Sequence, residues 1–273
     1  MKPALHSRQT NLVHRPLLPA FDQCEELHAA SFADLEMACE HLDQEAGRSG
    51  RARFSSFEAA IARHLSDNPA EVAQLRESTR CELTAHLISE PRELKPLCDC
   101  SRFDTAFEAA TRDNASTPGP NWLLAVARTA VGRSDLTFRS LEARTAPDSR
   151  NCSVVYPDAK HSLPRVQAIC NRLASLSATS AMATVVWCMT AFLNAHPLPD
   201  GNGRVARLLF ALGAHRAGLI SGPWLALGPL VYASNGAFEI AVRRAEIQSR
   251  WQPLIDLVTI YTRFLASRCA SCN

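Results

Sequence analysis

His196-Pro-Leu-Pro-Asp-Gly-Asn-Gly-Arg-Val-Ala-Arg207 places a base, a carboxylate, a glycine-rich turn and two arginines within one short stretch. Gly201 and Gly203 let the backbone turn tightly and aim its N–H groups at one point. That point is the start of the helix predicted from Val205 to Ala217, where unpaired N–H groups and the helix dipole favour an anion. Asn202 can add a side-chain donor to the same anion. Asp200 is the carboxylate beside the turn, and one carboxylate plus phosphate oxygens is a common donor set for Mg²⁺. Arg204 and Arg207 are three apart, so they share one side of the helix start and can clamp phosphates there. His196, with a reference pKa of about 6.5, can take a proton from an attacking hydroxyl near neutral pH. Pro197 and Pro199 stiffen the loop that holds it. Taken singly, each residue reads as structural: a histidine at a helix end, a Gly-x-Gly turn, a solvated Arg-x-x-Arg face. Their convergence between two apolar helices points instead to phosphate or nucleotide binding.

On the N-terminal side of this loop, Ala181 to Asn194 is a strongly apolar helix, with Met182, Val185, Val186, Met189 and Leu193 in its core stripe. Leu163 to Leu176 and Asn121 to Val131 also read as helices, and Trp251 to Leu265 closes the region. Leu136 to Tyr156 has another character. Leu-Thr-Phe-Arg at 136–139 and Cys-Ser-Val-Val-Tyr at 152–156 are short β-like runs, separated by the turn-rich segment 146–150, and predict a hairpin. The clearest break in the chain is Ala115-Ser-Thr-Pro-Gly-Pro120. Residues 21–114 before it form a helical region with stripes at Leu27 to Leu42, at Phe54 to Leu65 and over Ala70 to Ile88, and nothing in it suggests chemistry. Residues 1–20 read as a disordered polar leader.

The composition narrows the classes. A chain of 273 residues that is 47% hydrophobic can bury a sizeable core. A net charge of +2 gives no electrostatic reason to expect nucleic acid or an anionic membrane, and no apolar run is long enough to span one. The ten cysteines are scattered and match no compact disulfide framework. Cys98-Asp-Cys100 and Cys269-Ala-Ser-Cys272 lack the matched second pair that a zinc site requires, so reduced, buried thiols are expected.

The loop resembles the signature of Fic-domain proteins, His-Pro-Phe-x-(Asp/Glu)-Gly-Asn-(Gly/Lys)-Arg-x-x-Arg. It agrees at every defined position but one: Leu198 stands where the family has Phe, which keeps the apolar character of the anchor. The resemblance extends over about residues 120–265. It implies an all-α domain with a small β-hairpin flap, preceded here by an N-terminal helical region. It implies transfer of a nucleoside monophosphate, most often AMP from ATP with Mg²⁺, to a Ser, Thr or Tyr hydroxyl of a target protein. His196 would be the base and Asp200 the Mg²⁺ ligand. Gly201, Asn202 and Gly203 would form the anion nest, and Arg204 and Arg207 would hold the nucleotide phosphates. The flap, with Cys152, Ser153, Val154, Val155 and Tyr156, would align the target as an added strand.

Three alternatives come with the resemblance: UMP transfer from UTP by a host-directed effector, a Doc-like phosphotransferase, and a non-catalytic binding module. The Gly-Asn-Gly form favours nucleotidyl transfer over the Doc reaction. Many relatives carry an inhibitory glutamate followed by Gly or Asn, and no Glu-Gly or Glu-Asn pair occurs in this chain. That is the pattern of an enzyme not inhibited in cis, of one held by an antitoxin that supplies the glutamate, or of one with a divergent glutamate. It points to a cytoplasmic toxin or an effector exported into a host cell.

Overall fold

The computed structural model describes residues 11–13, 28–48, 54–78, 101–112, 117–145, 153–176, 181–234 and 236–270. Its elements, in chain order, begin with the short strand β1 (Asn11–Val13) and the helices α1 (Ala29–Arg48), α2 (Phe54–Asp67), α3 (Pro69–Ser78) and α4 (Ser101–Arg112). Helix α5 (Pro120–Val131) and strand β2 (Ser153–Val155) follow, then a 3₁₀ turn at Ala159–His161. The remaining helices are α6 (Ser162–Ala174), α7 (Ala181–Ala195), α8 (Asn202–Arg216), α9 (Leu227–Ala233), α10 (Ala237–Ile247) and α11 (Gln252–Ala270). The helical fold expected from the sequence is therefore present.

Helix α7 is the centre. All of its residues except Leu193 are buried, which is why its sequence is apolar on every side rather than along one stripe. Its neighbours α6, α8 and α10 pack round it. Helix α8 approaches closely because Gly213 faces Val185; a Cβ there would lie 2.7 Å from the Val185 Cγ2. Phe192 of α7, Phe210 of α8, and Trp251 and Tyr261 at the C-terminal end are among the largest side chains in this core.

The helices on the two sides of the 115–120 break share that core. Helix α1 buries Phe32, Leu35, Cys39 and Leu42, and its main neighbour is α11, the last helix of the chain. Each such fully buried large apolar side chain contributes roughly 1.5–3 kcal/mol relative to leaving it exposed. Polar contacts fix the register: the Ser221 N–H, the Ser221 hydroxyl and the Trp224 indole N–H all donate to the Asp43 Oδ1, at 2.6, 2.8 and 2.9 Å. Glu71 of α3 binds the Arg268 guanidinium of α11 at 2.7 Å. The third helix of the N-terminal region is described as Pro69–Ser78, and the rest of the Ala70 to Ile88 expectation lies outside the described residues.

The hairpin differs from its expected form. Residues 136–139 form no strand. Residues 153–155 are a strand, but its partners are Asn11–Val13, in parallel, and a single antiparallel bridge from Arg144 to Val155. The Tyr156 N–H donates to the Ala143 carbonyl at 2.9 Å, so the antiparallel approach exists, displaced to 143–144. The reason lies in Arg139: its backbone N–H donates to the Pro197 carbonyl at 2.9 Å and its buried side chain donates to the carbonyls of Ala195, His196, Leu141 and Pro157, which removes 136–139 from any ladder. Three leader residues, Asn11–Val13, are therefore strand. Cys152 of the flap lies outside the described residues, as do Cys98, Cys100 and Cys272. Cys39, Cys170 and Cys188 are free, buried thiols, Cys269 is buried as well, and burial pushes the Cys39 thiol up to about 12.

Candidate active site

Helix α7 ends where its chain must leave the helix. His196 takes a positive φ of 46°, and it precedes a proline, which disfavours the α conformation. A non-glycine residue in that region is strained and is held there by its surroundings. The Pro197 and Leu198 that follow are buried, and Leu198 is 0% exposed, so leucine fills the anchor position that phenylalanine holds in the family signature. The loop then turns at Gly201, with φ of 81°, directly into α8.

Gly201 is a position that only glycine fits: φ is positive, and a Cβ would lie 2.3 Å from the Val131 Cγ2 of α5. Gly201→Ala is expected to lower stability by about 2 kcal/mol, from overpacking against Val131 and backbone strain. Chemical denaturation of the variant checks this; a wild-type midpoint would contradict it.

Asn202 is placed differently from the expectation that its amide faces an anion. It is buried, and the amide closes the loop on itself: the Leu198 N–H donates to Oδ1 at 3.0 Å and Nδ2 donates to the Leu198 carbonyl at 2.7 Å. Its backbone N–H stands at the helix start, where such groups have no intrahelical partner. Asp200 is exposed; its Oδ1 accepts from the Gly201 N–H at 2.7 Å and its Oδ2 lies 3.4 Å from the Arg204 Nη2. Arg204 and Asp200 therefore stand together.

A cavity of about 260 Å³ opens beside His196 and the start of α8. His196, Gly203 and Arg207 line it together, which brings the predicted base, one residue of the predicted nest and the second arginine to one place, while Asp200, Gly201, Asn202 and Arg204 are not among its lining residues. Leu193, Val231, Phe238 and Val242 give it apolar walls, and Asn194, Tyr232, Glu239 and Arg243 add polar groups. Among the described residues no group of three or more His, Cys, Asp or Glu side chains could hold a metal ion. A cation here would rest on Asp200 and on oxygens brought by a ligand.

The His196 ring is layered. Tyr156, directly after β2, stacks on it with centroids 3.8 Å apart and planes at 20°, and the Arg243 guanidinium lies 4.9 Å from the Tyr156 centroid. Burial pushes the His196 pKa down to about 4, and the positive charges of Arg139 and Arg243 add to the effect. The Leu193 carbonyl favours the protonated ring, although the buried Nδ1 has no partner that meets hydrogen-bond geometry. Stacking covers the face of an imidazole and leaves the lone pair of its unprotonated nitrogen, which lies in the ring plane, free to take a proton. Sequence reasoning placed Tyr156 in the flap and did not foresee its contact with His196. It did not find Arg139 or Glu239 at all. No local pattern marks an arginine in an irregular segment, and Glu239 lies over thirty residues from the signature.

Residues 120–213 match the family model described as Fic/DOC family. No curated protein matches the chain. Three solved structures are similar in fold. A Fic family protein from Desulfovibrio desulfuricans G20 has a TM-score of 0.59 at 16% identity, over 88% of this chain and 74% of that one. Fic-1 from C. elegans has a TM-score of 0.52 at 15% identity, over 90% and 74%. A Fic domain containing signaling protein from Bacteroides thetaiotaomicron VPI-5482 has a TM-score of 0.50 at 13% identity, over 88% and 96%. The segment 120–213 is thus a Fic/DOC-family region in a chain with the Fic helical fold, and Fic domains in general move nucleotidyl or phosphoryl groups to proteins. No helix among the described residues is long and apolar enough to cross a membrane.

Proposed function

We propose that this Fic-family chain is a protein nucleotidyltransferase that moves a nucleoside monophosphate, in the first instance AMP from ATP, onto a Ser, Thr or Tyr hydroxyl of another protein. The observation that carries the reading is that His196 and Arg207 open into one cavity at the N-terminus of α8. In the reaction the hydroxyl oxygen bonds to the α-phosphorus, the bond from that phosphorus to the bridging oxygen breaks, and pyrophosphate leaves. The hydroxyl proton passes to the His196 ring. The amides at the start of α8 and the Arg207 guanidinium take the phosphate charge, and Arg204 supports the leaving group.

The donor set fits Mg²⁺: one exposed carboxylate, Asp200, beside a nest for phosphate oxygens that would complete the coordination. When bound, the ion would neutralise phosphate charge and ease the departure of pyrophosphate. The apolar walls of the cavity suit a nucleobase, and UTP is the competing donor. The target would align along β2 by backbone hydrogen bonds. Val155 is already paired to Val13 on one side and bridged to Arg144 on the other, so an added strand would replace β1. A toxin or effector role belongs to the same proposal and rests on the missing Glu-Gly and Glu-Asn pairs.

Labelled ATP tests the reading. Label from the α-phosphate on protein supports it. Label from the γ-phosphate alone would mean a phosphotransferase, and no label from any nucleotide would favour the binding-module alternative.

The histidine supplies a pH test. The free enzyme holds His196 at about 4, so the ring is neutral and competent above that value and protonated below it. The acid limb of kcat/KM should therefore fall as pH drops through about 4. A bound polyanion favours the imidazolium, so the acid limb of kcat should lie at higher pH. Ring-proton NMR titration with and without Mg²⁺-nucleotide reads the same shift, and an unchanged midpoint would contradict it.

A further inference from the structure

We propose that Arg139 is a positioning residue that fixes the distance between the flap strand and the catalytic base; the proposal rests on the reading of His196 as that base. Arg139 lies outside every helix and strand and is only 8% exposed. Its Nε donates to the His196 carbonyl at 2.7 Å, its Nη1 to the Leu141 carbonyl at 2.9 Å, and its Nη2 to the Ala195 carbonyl at 3.2 Å. Nη2 also donates to the Pro157 carbonyl, and the backbone N–H of Arg139 to the Pro197 carbonyl at 2.9 Å. One side chain therefore joins the end of α7, the catalytic loop, the segment before the flap and the residue two positions after β2.

Two features make this more than packing. The first is the nature of the partners. Every hydrogen-bond partner of the guanidinium is a neutral carbonyl, and the carboxylates that favour its charge, Asp158 and Glu142, act without direct contact. Burying a cation without a carboxylate costs free energy, so the arrangement is poorly explained as a stabilising device. It does match the last carbonyls of α7, which a helix leaves unpaired and at the negative end of its dipole. The second feature is geometric. Only a planar fork with five donors reaches carbonyls in several directions at once. The segments it joins are those whose separation matters: Pro157 follows Tyr156, and the Tyr156 ring is stacked on His196 at 3.8 Å. A hydroxyl delivered along β2 meets the His196 ring at a distance that Arg139 sets.

The test compares wild type with Arg139→Lys, Arg139→Met and Arg139→Ala as full-length proteins. Three quantities are read at a temperature where circular dichroism shows each variant folded: affinity for Mg²⁺ with a non-hydrolysable ATP analogue, transfer of α-phosphate label onto protein, and release of free nucleoside monophosphate. Loss of positioning is expected to lower transfer about 10²-fold, the scale of a misplacement near 1 Å. Nucleotide affinity should change little, and the ratio of free to protein-bound monophosphate should rise, because water replaces the misplaced hydroxyl. Lysine should fare nearly as badly as methionine. Millimolar guanidinium ion should restore part of the transfer to Arg139→Ala and none to Arg139→Met, whose side chain fills the space. Full transfer by Arg139→Lys would overturn the proposal, as would a parallel fall of affinity, transfer and hydrolysis, which marks collapse of the site. If the alanine and methionine variants do not fold, Arg139→Lys decides alone by the same ratio. A wild-type protein that transfers nothing would overturn the proposed function itself, whereas an active wild type with an equally active lysine variant would overturn only this inference.

Discussion

His196→Ala is expected to lower nucleotide transfer by about 10²–10⁴-fold, the usual contribution of a positioned general base. The fold should survive. The imidazole is buried with an unpartnered Nδ1, so its removal leaves no new buried polar group without a partner. The main structural loss is the stack with Tyr156, and alanine inherits the positive φ at that position. Nucleotide affinity should change little, because the proposed function gives the phosphate contacts to the amides at the start of α8 and to Arg207. Calorimetry with Mg²⁺-ATP analogue and a transfer assay separate the two effects. Wild-type transfer by the variant would remove His196 from the mechanism. Loss of binding together with transfer would make it a structural residue.

The largest effect on stability is expected at a site remote from the chemistry. Arg165 of α6 forms an ion pair with Glu246 of α10, and their side chains are 4% and 1% exposed. Burial pushes the Arg165 guanidinium down to about 10, so it still carries its charge at neutral pH. Removing one partner deprives the other of this counter-charge at a buried site and costs about 3–5 kcal/mol. For a chain of this size that lowers the melting temperature by roughly 10 °C. Replacing both together, Arg165→Met with Glu246→Leu, should return stability close to wild type, since well-packed apolar residues often match a buried pair. Thermal unfolding of the two single variants and the double variant checks this, and additive losses would contradict it. Helix α10 carries Glu239, Val242 and Arg243 to the cavity, so the pair ties the helix that lines the cavity to α6.

The centre of this fold was legible because it is written in local rules. An apolar run from 181 to 194, a proline-stiffened exit and a glycine turn define two helices and the loop between them, and the helices end within a few residues of the expected limits. The gathering of His196, Gly203 and Arg207 at one cavity followed from the same stretch. What was not legible depends on contacts between distant segments. The strand propensity of Leu136 to Arg139 was real, but it lost to a buried guanidinium fifty-seven positions from its carbonyl partner at His196. Asn202 reads as an anion donor by its place in the turn, and only the folded loop shows its amide bound to Leu198. The 115–120 break marked a change in the chain without separating the cores, because α1 finds its main partner in α11 at the opposite end of the sequence. Pairing of that range has no periodicity to betray it.

Intact mass of the purified protein, after incubation with Mg²⁺ and each of ATP, UTP, GTP and CTP, tests the central claim most directly. The expected result is a gain of one nucleoside monophosphate on wild type with ATP and no gain on His196→Ala, and the nucleotide that works best names the base. No gain with any nucleotide, alone or with a cell extract as the source of target, would contradict nucleotidyl transfer and leave the Fic fold as a binding scaffold.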